Sequence, residues 1–367
     1  MSEVPFFDLS RQYEELRDDL SSAVEEVLAS QRYIGGPRVA QIEQKLAARV
    51  GVAHGIGVSS GTDALLASLM ALEVGPGDEI ITSPFTFFSP VESILRLGAR
   101  PVFVDIDLAT FNLDVRAVEA AIGPKTRGIL PVHLFGQTCA MSQLMELAAD
   151  RDLFVVEDMA QALDAEHKDK RSGSFGAAGC VSFFPTKNLG AAGDGGMIFC
   201  DDDGLADRIR RICRHGAQPK YHHVEVGGNF RLDPIQAAIL EVKLEHLHRW
   251  NICRRDHAAF YDRALSDHPS ITTPTISDDN LCVFNQYTIR VPHRDRLRDR
   301  LAKRGVGTNV YYPEPLHLQP ALGHLGHSPG DFPNTEAACR EVLSLPIFPE
   351  LTDEELRRVV EALRAGL

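Results

Sequence analysis

No two of the seven cysteines form a CxxC pair; they stand at 139, 180, 200, 213, 253, 282 and 339, scattered and odd in number. That pattern excludes a disulfide framework and a cysteine-based zinc site, and a reducing cytoplasm is the compartment expected. Long apolar runs are also missing, since none approaches the ~18 residues of a membrane span. The start, Met1-Ser2-Glu3-Val4-Pro5, has no basic segment followed by an apolar core, so no export signal is expected. Basic charge is in short supply: 38 Lys and Arg against 51 Asp and Glu give a formal net charge of −13. Such a balance disfavours a nucleic-acid surface, which needs concentrated cations. An anionic small ligand would need a local basic pocket. The densest candidate is Arg210, Arg211, Arg214, His215, Lys220, His222 and His223, although a solvated helix face explains the arginines equally well. Among fourteen histidines only His222-His223 and His246/His248 lie close together, so no metal site is expected. Internal repeats and low-complexity segments are absent.

What the chain does have is alternation. Amphipathic helical patterns at 11–29 and 38–50 are followed by short apolar runs at 79–82, 101–105, 128–132, 153–157, 181–184 and 197–200, with helical stretches between them. Strands separated by helices predict an α/β domain with a mainly parallel central sheet, whose ligands gather at the carboxyl ends of the strands. Asp233-Pro234 opens a long helical pattern to about Leu265, with proline at the first turn. Beyond it the expected elements are a strand at 283–291, a helix at 294–304, a strand at 306–312, an irregular loop at 312–333, and a helix at 352–363. Thr352 and Glu355 stand at capping-box spacing on that last helix. At 367 residues and 44% hydrophobic content, two domains are expected: a large one over 1–245 and a smaller C-terminal α+β one over 246–367. The N-terminal helix is expected to pack on the smaller.

Three segments carry chemistry. Lys187 lies just past the run Val181-Ser182-Phe183-Phe184, ahead of the glycine-rich Gly190-Ala191-Ala192-Gly193-Asp194-Gly195-Gly196. A lysine so placed can form a Schiff base with an aldehyde cofactor when poor solvation or nearby cations lower its pKa. Alone, a loop lysine is usually a surface charge. The second segment, Leu153-Phe154-Val155-Val156-Glu157-Asp158-Met159-Ala160-Gln161, ends a strand on two acids. Pyridoxal 5′-phosphate needs an anion opposite its ring nitrogen, a post that suits Asp158, and Gln161 is near enough to reach the phenolic oxygen. The third is Gly57-Val58-Ser59-Ser60-Gly61-Thr62-Asp63, a strand entering a glycine turn and a helix. Its free backbone N–H groups suit a phosphate, with Gly61 and Thr62 as the cradle. Each segment has an ordinary structural explanation; the set of three favours the cofactor.

Taken together, these residues resemble the DegT/StrS family of pyridoxal-phosphate-dependent sugar-nucleotide aminotransferases, of fold-type I, from about Pro5 to the C-terminus. Further matches come in order: Pro5-Phe6-Phe7-Asp8-Leu9, Gly75-Pro76-Gly77-Asp78-Glu79-Ile80-Ile81, Pro101-Val102-Phe103-Val104-Asp105 and Pro131-Val132-His133-Leu134-Phe135-Gly136. The resemblance implies that Lys187 is the Schiff-base lysine and proton shuttle, Asp158 the partner of the pyridine nitrogen, and Gln161 that of the phenolic oxygen. It implies further that Ser182, Gly61 and Thr62 hold the phosphate and that Phe87 stacks on the ring. Asn229 would reach the phosphate from the partner of a homodimer. Arg231 is a candidate carboxylate anchor, a structural ion pair being equally open, and Tyr311 and Tyr312 are candidate substrate contacts.

The sequence departs from the family pattern at Met159, where alanine is usual, at Asp164 and Asp169, where glycine is frequent, and at Tyr311, where many relatives have histidine. The first three fall beside the pocket and bear on the sugar site more than on amino transfer. The implied reaction moves an amino group from glutamate to a keto sugar linked to a nucleotide. The C3 ketone of a UDP-2-acetamido-2-deoxy-glucuronate type sugar is favoured over C4 of a 4-keto-6-deoxy sugar. A non-catalytic cofactor-binding regulator is the other reading. A family dehydratase, in which histidine replaces the lysine, is disfavoured by Lys187.

Overall fold

The computed structural model describes residues 3–367. Seven strands form the central sheet: β1 (His54–Val58), β2 (Glu79–Thr82), β3 (Arg100–Phe103), β4 (Thr126–Ile129), β5 (Phe154–Asp158), β6 (Ala178–Ser182) and β7 (Gly196–Cys200), in the spatial order β1-β7-β6-β5-β4-β2-β3. Strands β2 to β6 pair in parallel. Strand β7 runs antiparallel to both β6 and β1, so β1 shares the direction of the others. Most interior positions of these strands are small or apolar and buried, as a sheet covered on both faces requires, with Arg127 and Glu157 the charged exceptions.

Helices α1 (Ser10–Ser30) and α2 (Pro37–Val50) precede the sheet. Helices α3 (Gly61–Ala71), α4 (Ser89–Arg96), α5 (Val115–Ala121) and α6 (Met141–Asp150) connect its parallel strands, and α7 (Asp203–Ile212) follows β7. One face of the sheet is packed by Ala64, Leu65 and Leu69 of α3 with Ile209 and Ile212 of α7. The β7–β6 side of the other face is covered by Ile42 and Leu46 of α2 and Leu240 and Leu247 of α8 (Pro234–Leu265).

Downstream come β8 (Tyr287–Arg290), α9 (Arg294–Lys303), α10 (Pro333–Glu341), β9 (Val342–Leu345) and α11 (Asp353–Gly366). Strands β8 and β9 pair antiparallel and share a second core with Tyr261 and Leu265 of α8, Leu297 and Leu301 of α9, and Val359 and Leu363 of α11. Helix α8 therefore belongs to both cores, Leu240 and Leu247 to the first and Ala258 and Tyr261 to the second. We propose that the domain division lies within this continuous helix. Helix α1 lies along α8: Ala23 and Val27 pack on Ala238, while Arg11 at its other end grips Glu355 and the Glu350 carbonyl. The Thr352–Glu355 capping box is formed.

Several expected spans differ, the strand expected at 283–291 pairing only over Tyr287–Arg290 and that at 101–105 over Arg100–Phe103. The strand expected at 181–184 is Ala178–Ser182, because the small residues Ala178, Gly179 and Cys180 pair with the sheet while Phe183 turns into the core and Phe184 stands exposed. The run expected at 128–132 pairs over Thr126–Ile129, and Val132 meets Asp158 in a single bridge. The strand expected at 306–312 does not form. Its backbone bonds are divided, Gly307 N–H going to Val4 O at 2.8 Å and Asn309 exchanging bonds with Ser344, so no ladder builds on either side. The loop expected at 312–333 contains two 3-10 turns, Leu316–Leu318 and Pro320–Leu325.

Candidate active site

The carboxyl ends of β1, β5 and β6 lie at the same edge of the sheet. After β1 the chain turns at Ser60, an extended residue whose hydroxyl accepts the Asp63 N–H at 3.0 Å and caps α3. Gly61 and Thr62 occupy the first two helical positions, whose N–H groups no intrahelical carbonyl can reach. The chains crowd closely here. A Cβ on Gly61 would lie 2.7 Å from the Ser182 Cβ, and one on Gly196 would lie 2.5 Å from the Ser60 carbonyl. Only glycine allows this approach, which sets the start of α3 against the ends of β6 and β7. The Thr62 hydroxyl lies 2.6 Å from that of Ser89, tying in the turn that carries Phe87. Phe87 is 59% exposed, so it is not a core residue.

Asp158 ends β5 with its side chain buried. Its Oδ1 accepts the Ala160 N–H at 3.0 Å. Burial raises its pKa above the ordinary carboxylate value, opposed by the Ala160 N–H and by the charge of Lys187. Lys187 follows β6, its backbone N–H donating to Phe184 O at 2.9 Å in a tight turn. Poor solvation inside the pocket lowers the Lys187 amine to about 8, with Asp158 pulling the other way. At pH 7 about a tenth of this lysine is therefore the neutral, nucleophilic amine, far more than for a solvated lysine.

The Gln161 amide has a defined orientation. Its Oε1 accepts the Phe135 N–H at 2.7 Å, which turns Nε2 toward the Tyr312 hydroxyl, 3.5 Å away. Tyr312 lies close enough to Asp158 to feel its charge, and burial pushes its phenol pKa up. Its ring meets Phe85 edge-on at 6.1 Å. The Tyr311–Tyr312 peptide is cis. Tyr311 receives a 2.8 Å hydrogen bond from Asn309 Nδ2 and its ring lies 6.1 Å from that of Phe6.

Sequence reasoning assigned no task to Glu157 or His133. The two acids that end β5 point to opposite sides, as strand alternation dictates. The Glu157 carboxylate is fully buried and accepts the N–H groups of Gly173 (2.8 Å), Phe175 (2.7 Å) and Gly176 (2.9 Å) besides His133 Nε2 (2.9 Å). His133 Nδ1 in turn accepts the Cys139 N–H at 3.2 Å, which fixes Nε2 as the protonated nitrogen. The His133 N–H also donates to Asp158 O at 2.9 Å, so this knot holds the β5 end still. The signal available beforehand was an acid pair following a fully apolar strand.

The model of the DegT/DnrJ/EryC1/StrS aminotransferase family matches residues 14–364. The chain belongs to this family. As a DegT/DnrJ/EryC1/StrS member it is 50% identical over 362 residues to the "Pleiotropic regulatory protein" of Geobacillus stearothermophilus, covering 98% of this chain and 97% of that one. It is 42% identical over 360 residues to the UDP-2-acetamido-2-deoxy-3-oxo-D-glucuronate aminotransferase of Pseudomonas aeruginosa, with 98% and 99% covered. Among solved structures, S. venezuelae DesV in complex with a ketimine intermediate aligns at a TM-score of 0.97 and 41% identity, with 100% of this chain and 98% of that chain covered. The fold is accordingly that of fold-type I pyridoxal-phosphate enzymes, and the protein is an aminotransferase whose cofactor is pyridoxal 5′-phosphate.

This aminotransferase has the residues to fit that cofactor. The close approach of Gly61 to Ser182 and of Gly196 to Ser60 sets two N–H groups of a helix start beside the Ser182 hydroxyl, a setting for a phosphate. Asp158 offers a buried anion and Lys187 a poorly solvated amine in the same pocket. Gly61, Thr62, Asp158, Gln161, Ser182, Lys187 and Tyr312 are brought together. Asn229 and Arg231 are not. Asn229 is exposed and bridges to Arg214, while Arg231 lines a separate cavity of about 610 Å³ with Arg210, Arg214, His215, Lys220 and His223. Arg210, Arg214, Lys220 and Arg231 have no ion-pair partner among the described residues, whereas Arg211 is held by Glu225 and Gln218. No group of three or more His, Cys, Asp or Glu side chains among the described residues is placed to hold a metal.

Proposed function

We propose that this enzyme transfers an amino group from glutamate to the C3 keto group of a nucleotide-linked sugar, within amino-sugar biosynthesis for a surface polysaccharide or a related product. The observation that carries the reading is a neutral-prone Lys187 sharing a pocket with the buried Asp158 and the glycine cradle. The bound cofactor supplies an electron-withdrawing ring and an aldehyde, which let the α-hydrogen of an amino acid leave as a proton. Lys187 Nζ would hold the aldehyde and, once free, would move the proton at the substrate carbon. Asp158 would favour the protonated ring nitrogen, and Gln161 Nε2 would donate to the phenolic oxygen. The N–H groups of Gly61 and Thr62 and the Ser182 hydroxyl would hold the phosphate, and Phe87 would stack on the ring.

The sugar nucleotide is supported by the relatives' names and by the cavity where Arg210, Arg214, Lys220 and Arg231 outnumber the one carboxylate, Glu43, a site for a diphosphate on a protein of net charge −13. Tyr311 and Tyr312 lie on the Lys187 side and are assigned to the sugar. Asn229, exposed in the single chain, is assigned to the phosphate of a partner's cofactor, which makes the working unit a homodimer. The seven cysteines are free thiols, which suits a reducing cytoplasm.

Amination of 3-keto and 4-keto sugar nucleotides with glutamate, followed by mass spectrometry of the products, tests the substrate reading. The 3-keto panel is expected to gain the amine; product from 4-keto-6-deoxy sugars alone would move the assignment to C4. The relative named as a regulatory protein favours a second reading, a cofactor-binding regulator. That reading requires the cofactor spectrum to remain unchanged by every amino donor.

A further inference from the structure

Lys187 is flanked by residues whose polar groups are held from outside the pocket. The next residue, Asn188, is buried, and its Nδ2 donates to Asn251 Oδ1 at 2.7 Å and to Val283 O at 3.1 Å. Its Oδ1 accepts from Asn285 Nδ2 at 2.8 Å, and that same Nδ2 lies 3.5 Å from the carbonyl of Thr186, the residue before Lys187. Asn251 in turn donates from Nδ2 to Asp164 Oδ2 at 3.3 Å, and Arg49 grips both Asp164 oxygens at 2.7 and 2.6 Å. Three buried amides thus run in series from an ion pair on α2 to both neighbours of Lys187.

A primary amide can face either way, so a row of them has two possible polarities unless one end is fixed. Here the end is fixed. An ionised carboxylate only accepts, and a guanidinium only donates. Asp164 therefore requires Nδ2 of Asn251, which leaves Oδ1 for Asn188. Asn188 presents Nδ2 to Asn251 and to the Val283 carbonyl, which only accepts, so both contacts set its orientation and leave its Oδ1 for Asn285. Asp164 holds this position in the left-handed region at φ +70°, a conformation costly for a residue with a Cβ, and the two-pronged Arg49 contact offsets that cost.

We propose that Asp164, locked by Arg49, is a positioning residue for Lys187, anchoring Asn251 at the far end of the Asn251–Asn188–Asn285 relay, whose other two amides are oriented by the Val283 and Thr186 carbonyls and which holds Thr186 and Asn188 on either side of the lysine. The inference rests on Lys187 being the Schiff-base lysine, so borohydride reduction and peptide mapping of the wild-type holoenzyme come first. A pyridoxyl group elsewhere ends that reading and this proposal together. With the label on Lys187, Asp164→Gly and Asn251→Ala separate positioning from stability. Glycine at φ +70° is unstrained, so Asp164→Gly removes the acceptor at little conformational cost. A loosened segment lets water reach the amine. Trace acylation of the apoprotein across pH should then place the Lys187 pKa at least half a unit above wild type, toward the ordinary lysine value. Turnover should fall about tenfold with KM for glutamate changed less than twofold, and the double variant should be no worse than the poorer single one. Unchanged acylation and turnover in Asp164→Gly, or losses that multiply in the double variant, would overturn the proposal.

Discussion

At the scale of single residues, two lysines stand out, because burial lowers both Lys187 and Lys243 to about 8. Their surroundings give them different tasks. Lys243 Nζ donates to Gly190 O at 2.9 Å and braces the loop from α8, whereas Lys187 shares its pocket with Asp158. Lys187→Ala should lower turnover by more than about 10³-fold, the scale of a lost proton-transfer group, with the fold kept, because the buried Asp158 that loses this neighbouring charge can take up a proton. Substantial residual transamination would contradict the assignment. The pH dependence follows from the sign of the shift. A lysine whose folded pKa is depressed becomes the attacking neutral amine at lower pH, so capture of pyridoxal phosphate by the apoprotein should rise through about 8 and level off above it. Capture still climbing at pH 10, followed by absorbance, would mean an ordinary, solvated lysine. These residues were legible in sequence because each borders an apolar run, where a strand must end. Glu157 and His133 were not, since their bond joins side chains 24 positions apart, one on β5 and one in the connection that follows β4.

At the scale of elements, the start of α3 depends on close backbone approach. Gly61→Ala puts a methyl group 2.7 Å from the Ser182 Cβ and must push the helix start away from β6. Cofactor affinity, titrated by absorbance, should fall at least about tenfold, the outcome of losing one good charge-assisted hydrogen bond to the phosphate; unchanged affinity would show that the phosphate lies elsewhere. The end of β5 is held differently. Glu157→Gln leaves a buried carboxamide among three N–H donors and His133, a loss of about 3 kcal/mol for a broken buried pair. A clear drop in Tm is expected, and an unchanged Tm would contradict the knot. Element boundaries were legible where periodicity and caps agreed, as in α8 from Asp233-Pro234 and α11 from Thr352–Glu355. They failed at Ala178–Ser182, where small residues dilute the apolar signal, and at 306–312, where the bonding partners are Val4 and Ser344. The preference for glycine at 164 and 169 is explained by φ values of +70° and +61°, which a local pattern cannot show.

At the scale of the whole molecule, the residues assigned to one reaction lie in two places: Lys187 with Asp158 in one pocket, and Arg231 in another, with Asn229 exposed near it. A homodimer that joins one pocket to its partner's second surface makes use of both. Subunit complementation tests this. Lys187→Ala and Asn229→Asp should each be inactive alone, the second because a carboxylate would face the phosphate. Mixing and reassembly should restore about a quarter of the wild-type sites, since half the dimers are mixed and each holds one intact site. No recovery would place Asn229 outside the neighbouring site.

The most direct measurement is to reduce the holoenzyme with borohydride and map the labelled peptide by mass spectrometry. The structure predicts a single pyridoxyl group on Lys187, with Asp158→Asn losing the cofactor's bound-state absorbance. A pyridoxyl group on Lys243 or any other side chain, or none at all, would contradict the account.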